Sequence, residues 1–211
     1  MTEVNVSDFA KSNEQLIEEL ASLHQEVAEL KATKTAFDTL HELLKTLVTT
    51  GKTATGGLML KAVLHQILKI SNHLTNAEES SLFLLDANGS VIETILARGA
   101  IIRELKQKLV GDVLDKGLAG WVVRHRQIGL VTDTMNDDRW LTLPNEPYKV
   151  RSAMSVPILR GKDLLGILTL MHSQPGHFSS ESAYLMQQAA EQMALILENA
   201  LLYVDRQSPQ L

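Results

Sequence analysis

The sequence contains no cysteine, and this absence closes several kinds of chemistry at once. Disulfide bonds, thiol nucleophiles, thioether-linked chromophores and thiolate metal ligands all require a sulfhydryl group. A chain without thiols also suits the reducing environment of the cytosol. We therefore expect a cytoplasmic protein that uses neither disulfides nor cysteine chemistry.

Long apolar runs are missing as well. A membrane-spanning helix needs roughly 18 or more consecutive apolar residues, and no run in the sequence approaches that length. Residues 1–10 also lack the basic region and apolar stretch of a secretory signal. We expect neither export nor membrane insertion.

Positive charge is scarce. The 25 Asp and Glu residues outnumber the 20 Lys and Arg residues, which gives a formal net charge of −5. Binding to nucleic acid or anionic lipid relies on clustered Lys and Arg side chains, and no such cluster stands out. The composition therefore predicts no nucleic-acid partner.

Sequence motifs of catalysis are absent too. There is no nucleophile elbow, no paired-carboxylate signature and no zinc-binding HExxH motif. Gly51-Lys52-Thr53 resembles the end of a phosphate-binding loop, but Thr46 stands where the leading glycine is required. The sequence shows no metal-ligand spacing among His125, His172 and His177, so a role in binding haem or a metal is disfavoured. We predict a protein without enzymatic activity and without a metal.

The sequence that is present divides into two unequal parts. A length of 211 residues with 45% hydrophobic content suits one packed domain plus an extension. We predict, in chain order, a flexible N-terminus (1–14), a coiled-coil helix (15–49), a linker (50–57), one domain (58–206) and a short tail (207–211).

The N-terminal part carries a heptad repeat that runs from Leu16 to Val48 without a break. Apolar residues at positions a and d form a narrow stripe, which favours a seam between two helices over burial against a globular core. Lys34 and His41 occupy a positions, where polar side chains fix the register at some cost in stability. We predict a parallel homodimer with these interface residues: Leu16, Leu20, Leu23, Val27, Leu30, Phe37 and Leu44.

The remaining sequence predicts an α+β domain with a mainly antiparallel sheet. Two hairpins are indicated, one around Asn88-Gly89 and one around Gly161, because such residues adopt the positive φ angles of tight turns. Pro157 lacks a backbone N–H and is expected where the strand has an edge, a bulge or solvent beside it. The other predicted elements are helices at 58–75, 117–123 and 179–206, the last capped by Ser179 or Ser180, and a strand at 127–132.

Four local patterns occur in the order found in a known family. They are Gly117-Leu118-Ala119-Gly120-Trp121-Val122, the segment from Asp133 through Asp137-Asp138-Arg139-Trp140, and the strand sequences at 152–158 and 163–168. Together they resemble the GAF domain, the sensory fold shared by phytochromes and cyclic-nucleotide phosphodiesterases. The resemblance covers roughly residues 58–203 and implies a GAF-like antiparallel sheet with the terminal helices on one face.

The same resemblance implies where a ligand would bind. In this family a short helix and an Asp-rich loop cover the second face of the sheet, and a small molecule can lie beneath them. Carried over by position, the pocket candidates are Leu118, Ala119, Trp121, Asp133, Arg139, Trp140 and Ser152. No covalent bilin is expected, because the members that hold one generally do so through cysteine.

Each candidate also has a structural interpretation. The indole of Trp121 could stack on a flat ligand or anchor the core, and the core interpretation is favoured. Arg139 could bind an anionic group in bidentate fashion, while loop-stabilising ion pairs explain it equally well.

Two functions remain open at this point. The first is a non-catalytic sensory module that binds a small molecule and signals through a helical dimer to a partner protein. The alternative is a structural dimerisation module whose pocket is filled by its own side chains and which has no ligand. An open polar pocket favours the first, and a collapsed apolar one the second.

Overall fold

A computed structural model describes residues 15–28, 30, 31, 34, 38, 56–98, 101–103, 107–142 and 149–207 of the chain. Its elements are α1 (residues 15–28), α2 (Gly56–Thr75), β1 (Glu79–Leu85), β2 (Val91–Arg98), β3 (Ile101–Arg103), α3 (Gln107–Lys116), α4 (Leu118–His125), β4 (Gly129–Val131), β5 (Ser152–Arg160), β6 (Asp163–His172) and α5 (Ser180–Gln207).

The strands form one sheet of six in the order β3-β2-β1-β6-β5-β4. Every neighbouring pair is antiparallel, which confirms the predicted α+β fold class. Successive side chains of a strand point to opposite faces of the sheet, so each strand contributes to two layers.

One face of the sheet, called here the helix face, carries α2 and α5. Leu82, Met154 and Leu168 project from this face into a continuous core cluster with both helices. The predicted packing of the terminal helices on one face is thus confirmed. The apolar stripe of α5 is largely used inside the single chain, because eight of the helix's residues are buried there: Met186, Ala189, Ala190, Met193, Ala194, Ile196, Leu197 and Ala200.

The two hairpins form where the glycines predicted them. Gly89 has a φ of 80° and Gly161 a φ of 61°, angles that glycine adopts without steric cost. Asn88 does not share the positive φ, because the Asp86 side chain accepts hydrogen bonds from the backbone N–H groups of Asn88 and Ser90. The first turn therefore needs one left-handed residue rather than two.

Two expectations about single residues are also met. β4 begins at Gly129 opposite Ser155, so at Pro157 the strand β5 has a neighbour only on the β6 side. Ser179 caps α5: its Oγ accepts a hydrogen bond from the Ser182 N–H at 3.2 Å, and its own N–H donates to Ser182 Oγ at 2.8 Å. The cap gives the Ser182 N–H a hydrogen-bond partner that the first turn of a helix cannot supply. Pro157 has no backbone N–H, and it lies where no strand pairs with β5 on the β4 side.

β3 and α3 were not predicted from the sequence. β3 has three residues, which is too short for a periodic pattern, and α3 contains Gly111, a residue that disfavours a helix. α3 is held by tertiary contact, since it packs on α4. The helix α2 also begins two residues earlier than expected, at Gly56.

The N-terminal helix is described in part. Residues 15–28, 30, 31, 34 and 38 are helical, and the predicted interface residues Phe37 and Leu44 lie outside the described residues, as does His41. No helix in the described parts of the chain is both long and apolar enough to cross a membrane.

Candidate functional site

The second face of the sheet, called here the roof face, is covered by α4. This helix contacts β4, β5 and β6, and α3 packs on its outer side. Gly117 precedes the first residue of α4 with an extended backbone, and Arg126 ends the helix in a left-handed conformation. The short helix is therefore fixed at both ends and by the sheet below it.

The roof face packs as two clusters, unlike the single cluster of the helix face. The first contains Phe83, Ile167, Ala119 and Val122, and Trp121 packs against it. The second contains Leu118, Val131, Val150, Ala153 and Met171, with Trp140 packed against it.

Between these two clusters lies a line of three hydroxyl side chains, called here the hydroxyl row. Ser81 of β1 pairs with Thr169 of β6, and Thr169 pairs with Ser155 of β5. Ser155 Oγ and Thr169 Oγ1 are 3.0 Å apart and hydrogen bonded. The row therefore crosses three neighbouring strands beneath the roof, with apolar packing on both sides.

Two residues of this row are not completely covered by the roof. Ser81 keeps 7% of its surface accessible and Thr169 keeps 6%, whereas Ser80 and Leu168, their neighbours on the helix face, are fully buried. Ser155, the third hydroxyl of the row, is fully buried, as are Phe83 and Ile167 on the same face. The roof thus leaves only the Ser81 and Thr169 hydroxyl residues incompletely covered.

The Trp121 ring is in contact with two other side chains. Its ring stacks on His125 with 4.3 Å between centroids, and the Arg139 Cζ atom lies 5.1 Å from the ring centroid. Such cation–π contact contributes on the order of 1 kcal/mol. The arrangement agrees with the interpretation of Trp121 as an anchor of the roof.

Arg139 fastens the Asp-rich loop to the sheet. Its Nε and Nη2 donate to the two Asp137 carboxylate oxygens at 2.9 and 2.6 Å, and Nη2 also donates to Leu130 O at 2.8 Å. The guanidinium lowers the pKa of the Asp137 carboxyl, chiefly through these hydrogen bonds. The pKa of Arg139 is raised in return. The pair joins the loop to β4 and, through Trp121, to α4.

Asp133 forms a second ion pair at the start of the loop. Its carboxylate accepts hydrogen bonds from Arg151 Nε at 3.2 Å and Nη2 at 3.0 Å, and from the Met135 N–H at 3.2 Å. The bond from Arg151 is the main reason that the pKa of Asp133 lies below its ordinary value. This pair holds the loop to the beginning of β5.

The structure brings most of the predicted pocket residues to the roof. Leu118, Ala119 and Trp121 belong to α4, the first two buried, and Arg139 and Trp140 lie in the loop beside it. Ser152 is placed differently: two positions before Met154 in β5, it shares the helix face with that residue, and its Oγ donates to Gln174 O at 2.7 Å. Ser152 is thus not gathered with the others.

Ser81, Ser155 and Thr169 were missed from the sequence. Each is a hydroxyl residue beside apolar residues of its strand, but β1 also contains Ser80 and β5 also contains Ser152, so the sequence does not single them out. Their alignment depends on strand register, which no local motif specifies.

Among the residues that the structure describes, no group of three or more His, Asp or Glu side chains is placed to hold a metal ion. His125 is exposed, with its Nδ1 donating to Trp121 O at 2.8 Å.

Comparison with known proteins adds one family and several structures. The model of the GAF domain family matches residues 59–197. The GAF domain of an Acinetobacter phosphoenolpyruvate-protein phosphotransferase has a TM-score of 0.56 and 18% identity, covering 81% of this chain and 97% of that one. The corresponding domain from Coxiella burnetii has a TM-score of 0.53 and 21% identity, covering 79% and 96%.

An enzyme also shares the fold. The type II free methionine-R-sulfoxide reductase from Thermoplasma acidophilum has a TM-score of 0.50 and 14% identity, covering 66% of this chain and 95% of that one. No curated protein matches the sequence. Identities this low show a common fold only.

Proposed function

The chain belongs to the GAF domain family, and from this premise we propose that it is a non-catalytic signalling module that binds a small molecule beneath α4. The family consists of sensory and regulatory domains. The observation that carries the proposal is the hydroxyl row, a polar floor under α4 and its loop in which Ser81 and Thr169 are not completely covered. The proposed location is the cytoplasm.

The hydroxyl row fits a polar ligand. A serine or threonine hydroxyl donates one hydrogen bond and accepts others, so it can pair with carbonyl, amine or hydroxyl groups. Buried polar groups of this kind usually have partners, and a ligand would supply them for Ser81. The apolar clusters on both sides would pack against the ligand's carbon skeleton.

The signal would pass through the strands of the sheet. Ser81 and Thr169 face the roof, while their neighbours Leu82 and Leu168 face α2 and α5, so both layers share the same backbone. A ligand shifts the helices only if it binds one helix arrangement better than another. The proposed output is a change in the helices that a signalling partner protein recognises.

A homodimer through α1 is the second part of the proposal. The described seam residues are exposed in the single chain, with 44% of Leu16, 55% of Leu20 and 50% of Leu23 accessible. Leucines at a and d positions of an isolated helix are stabilised when a second helix covers them.

One observation favours the alternative of a structural module with an occluded pocket. At Gly129, next to the hydroxyl row, an added Cβ would come within 2.7 Å of Leu118 Cδ1. That end of the row is therefore filled by the protein's own side chains. In this alternative the uncovered part of Ser81 contacts water only.

Substitution of Thr169 by valine tests the ligand proposal. Valine keeps the shape and removes the hydroxyl, and a lost hydrogen bond to a ligand weakens binding by about tenfold, or ~1.4 kcal/mol. Native mass spectrometry of freshly purified protein identifies a bound compound. Calorimetry then measures affinity among nucleotides, cyclic nucleotides, amino acids and keto acids.

The matched control is Ser80→Ala, which removes a hydroxyl from the helix face of the same strand. It should leave the affinity unchanged. If no compound co-purifies and none of the four classes binds, the structural module is the better account.

Substitution of Leu23 by glutamate tests the dimer. A charge at a d position is expected to weaken association by at least about tenfold, because the seam would have to bury it. Sedimentation equilibrium measures the dissociation constant. Ser22→Glu adds the same charge at an outer position and should have little effect, so equal weakening by both would argue against this seam.

A further inference from the structure

Two histidines form a stacked pair on the helix-face side of the molecule. His172 ends β6, and His177 lies in the segment that joins β6 to α5. Their ring centroids are 3.6 Å apart and the rings are parallel within 5°. His172 keeps only 6% of its surface accessible, whereas His177 is half-buried.

The hydrogen bonds around the pair define its protonation. The Gln174 N–H donates to His172 Nδ1 at 3.1 Å, so this nitrogen must carry a lone pair. His177 Nε2 lies 2.9 Å from Thr75 O, and because a carbonyl only accepts, this nitrogen carries a proton. Both contacts are satisfied when the two rings are neutral.

This pair connects several elements. Thr75 is the last residue of α2, and His177 precedes the capping residue of α5 by two positions. In the same segment Gln174 O accepts from Ser152 Oγ, and the Gly176 N–H donates to Thr132 O at 2.7 Å. The segment 173–177 therefore ties both terminal helices to β5 and to the start of the Asp-rich loop.

We propose that His172 and His177 form a proton-responsive joint, which is closed when His172 is neutral and opens when His172 Nδ1 takes up a proton. The added proton turns Nδ1 into a donor facing the Gln174 N–H, which is also a donor, so that bond breaks. The segment 173–177 then loses its hydrogen bond to the His172 ring at the end of β6. The joint works without any ligand and is independent of the proposed binding site.

The groups around His172 decide how readily its ring takes up a proton. Glu78, from the turn between α2 and β1, has Oε1 3.5 Å from His172 Nε2 and favours a charged ring. His177 stacks on the other side and disfavours it. Arg151 contacts His172 only through its backbone N–H, since its guanidinium pairs with Asp133. Burial first, and then His177, lower the pKa of His172, and Glu78 opposes them.

The direction of the pH effect follows from linkage. Because the pKa of His172 is lower in the folded than in the unfolded chain, the unfolded chain takes up a proton first as the pH falls. The contribution of neutral His172 to stability is complete above about pH 6.5, the ordinary value, and is lost as the pH falls towards the folded value. Acid should therefore loosen this region.

The test uses the full chain and His172→Asn. The Asn Oδ1 can accept the Gln174 N–H as Nδ1 does, but it does not titrate. In the wild type, exchange protection of the Gln174 and Gly176 amides, measured from pH 7.5 to 5, is expected to be constant above about pH 6.5 and to fall below it, by up to about tenfold per pH unit for one proton. In His172→Asn this dependence should disappear, while His125→Asn, which changes an exposed histidine outside the joint, should keep it.

Two results would overturn the proposal. One is full pH dependence of Gln174 protection in His172→Asn. The other, which needs no variant to fold, is an NMR titration of the wild type in which the His172 ring titrates without any change in the Gln174 amide.

Discussion

Replacing Gly120 by alanine is expected to lower the free energy of unfolding by about 3 kcal/mol or more. A Cβ at this position would lie 1.8 Å from Leu114 O, a backbone atom of α3. Real Cβ atoms do not approach a carbonyl oxygen so closely, so α3 and α4 must separate. Their separation would remove packing from the whole roof. Urea denaturation followed by circular dichroism measures the change.

Gly111→Ala is the matched control. Gly111 lies in α3, and a Cβ there would meet nothing within 4 Å. Alanine favours a helix over glycine by about 1 kcal/mol, so this variant should be slightly more stable. If Gly120→Ala lowers and Gly111→Ala raises the free energy of unfolding, the loss comes from the contact between α3 and α4. A loss below about 0.5 kcal/mol for Gly120→Ala would show that the two helices do not cross at this distance.

The sequence predicted the elements whose signals are local. Gly89 and Gly161 marked the hairpins, and Ser179 marked the start of α5, because a turn or a cap depends on residues close together in the chain. α3 was missed because its stability comes from α4, and nothing within its own sequence reports that contact.

The candidate site was predicted less completely, for the same reason. Trp121 and Arg139 belong to recognisable motifs, yet their mutual contact follows from the way the loop folds over α4. The hydroxyl row exists only after β1, β6 and β5 have paired in register. Ser152, one residue out of phase with Ala153, shows how alternation sends neighbouring positions to opposite faces.

The two faces of the sheet also differ in how easily their side-chain packing can rearrange. The helix face is one continuous cluster, which resists rearrangement because packed interiors leave few voids. The roof is two clusters joined by polar contacts, among which Arg139 links the loop, β4 and α4. A ligand-dependent movement is therefore expected in the roof first.

Substitution of Arg139 by methionine is expected to lower the free energy of unfolding by about 2 kcal/mol. Methionine keeps much of the apolar stem but removes the two bonds to Asp137, the bond to Leu130 O and the contact with Trp121. The estimate is below that for a fully buried pair, because the side chain of Arg139 is 33% accessible and that of Asp137 is 20%. Urea denaturation gives the change, and the fluorescence of the two tryptophans reports the loosened roof.

Arg139→Lys separates charge from geometry. Lysine keeps the charge but cannot donate two parallel hydrogen bonds, so it should recover less than half of the loss. The pH dependence gives a second readout. Because the pKa of Asp137 is lowered by Arg139, its contribution to stability is present above its ordinary pKa of 3.8 and is lost as the pH falls below that value. Both variants should therefore flatten the acid limb of the stability curve, and an unchanged acid limb in Arg139→Met would mean that the pair does not hold the loop in solution.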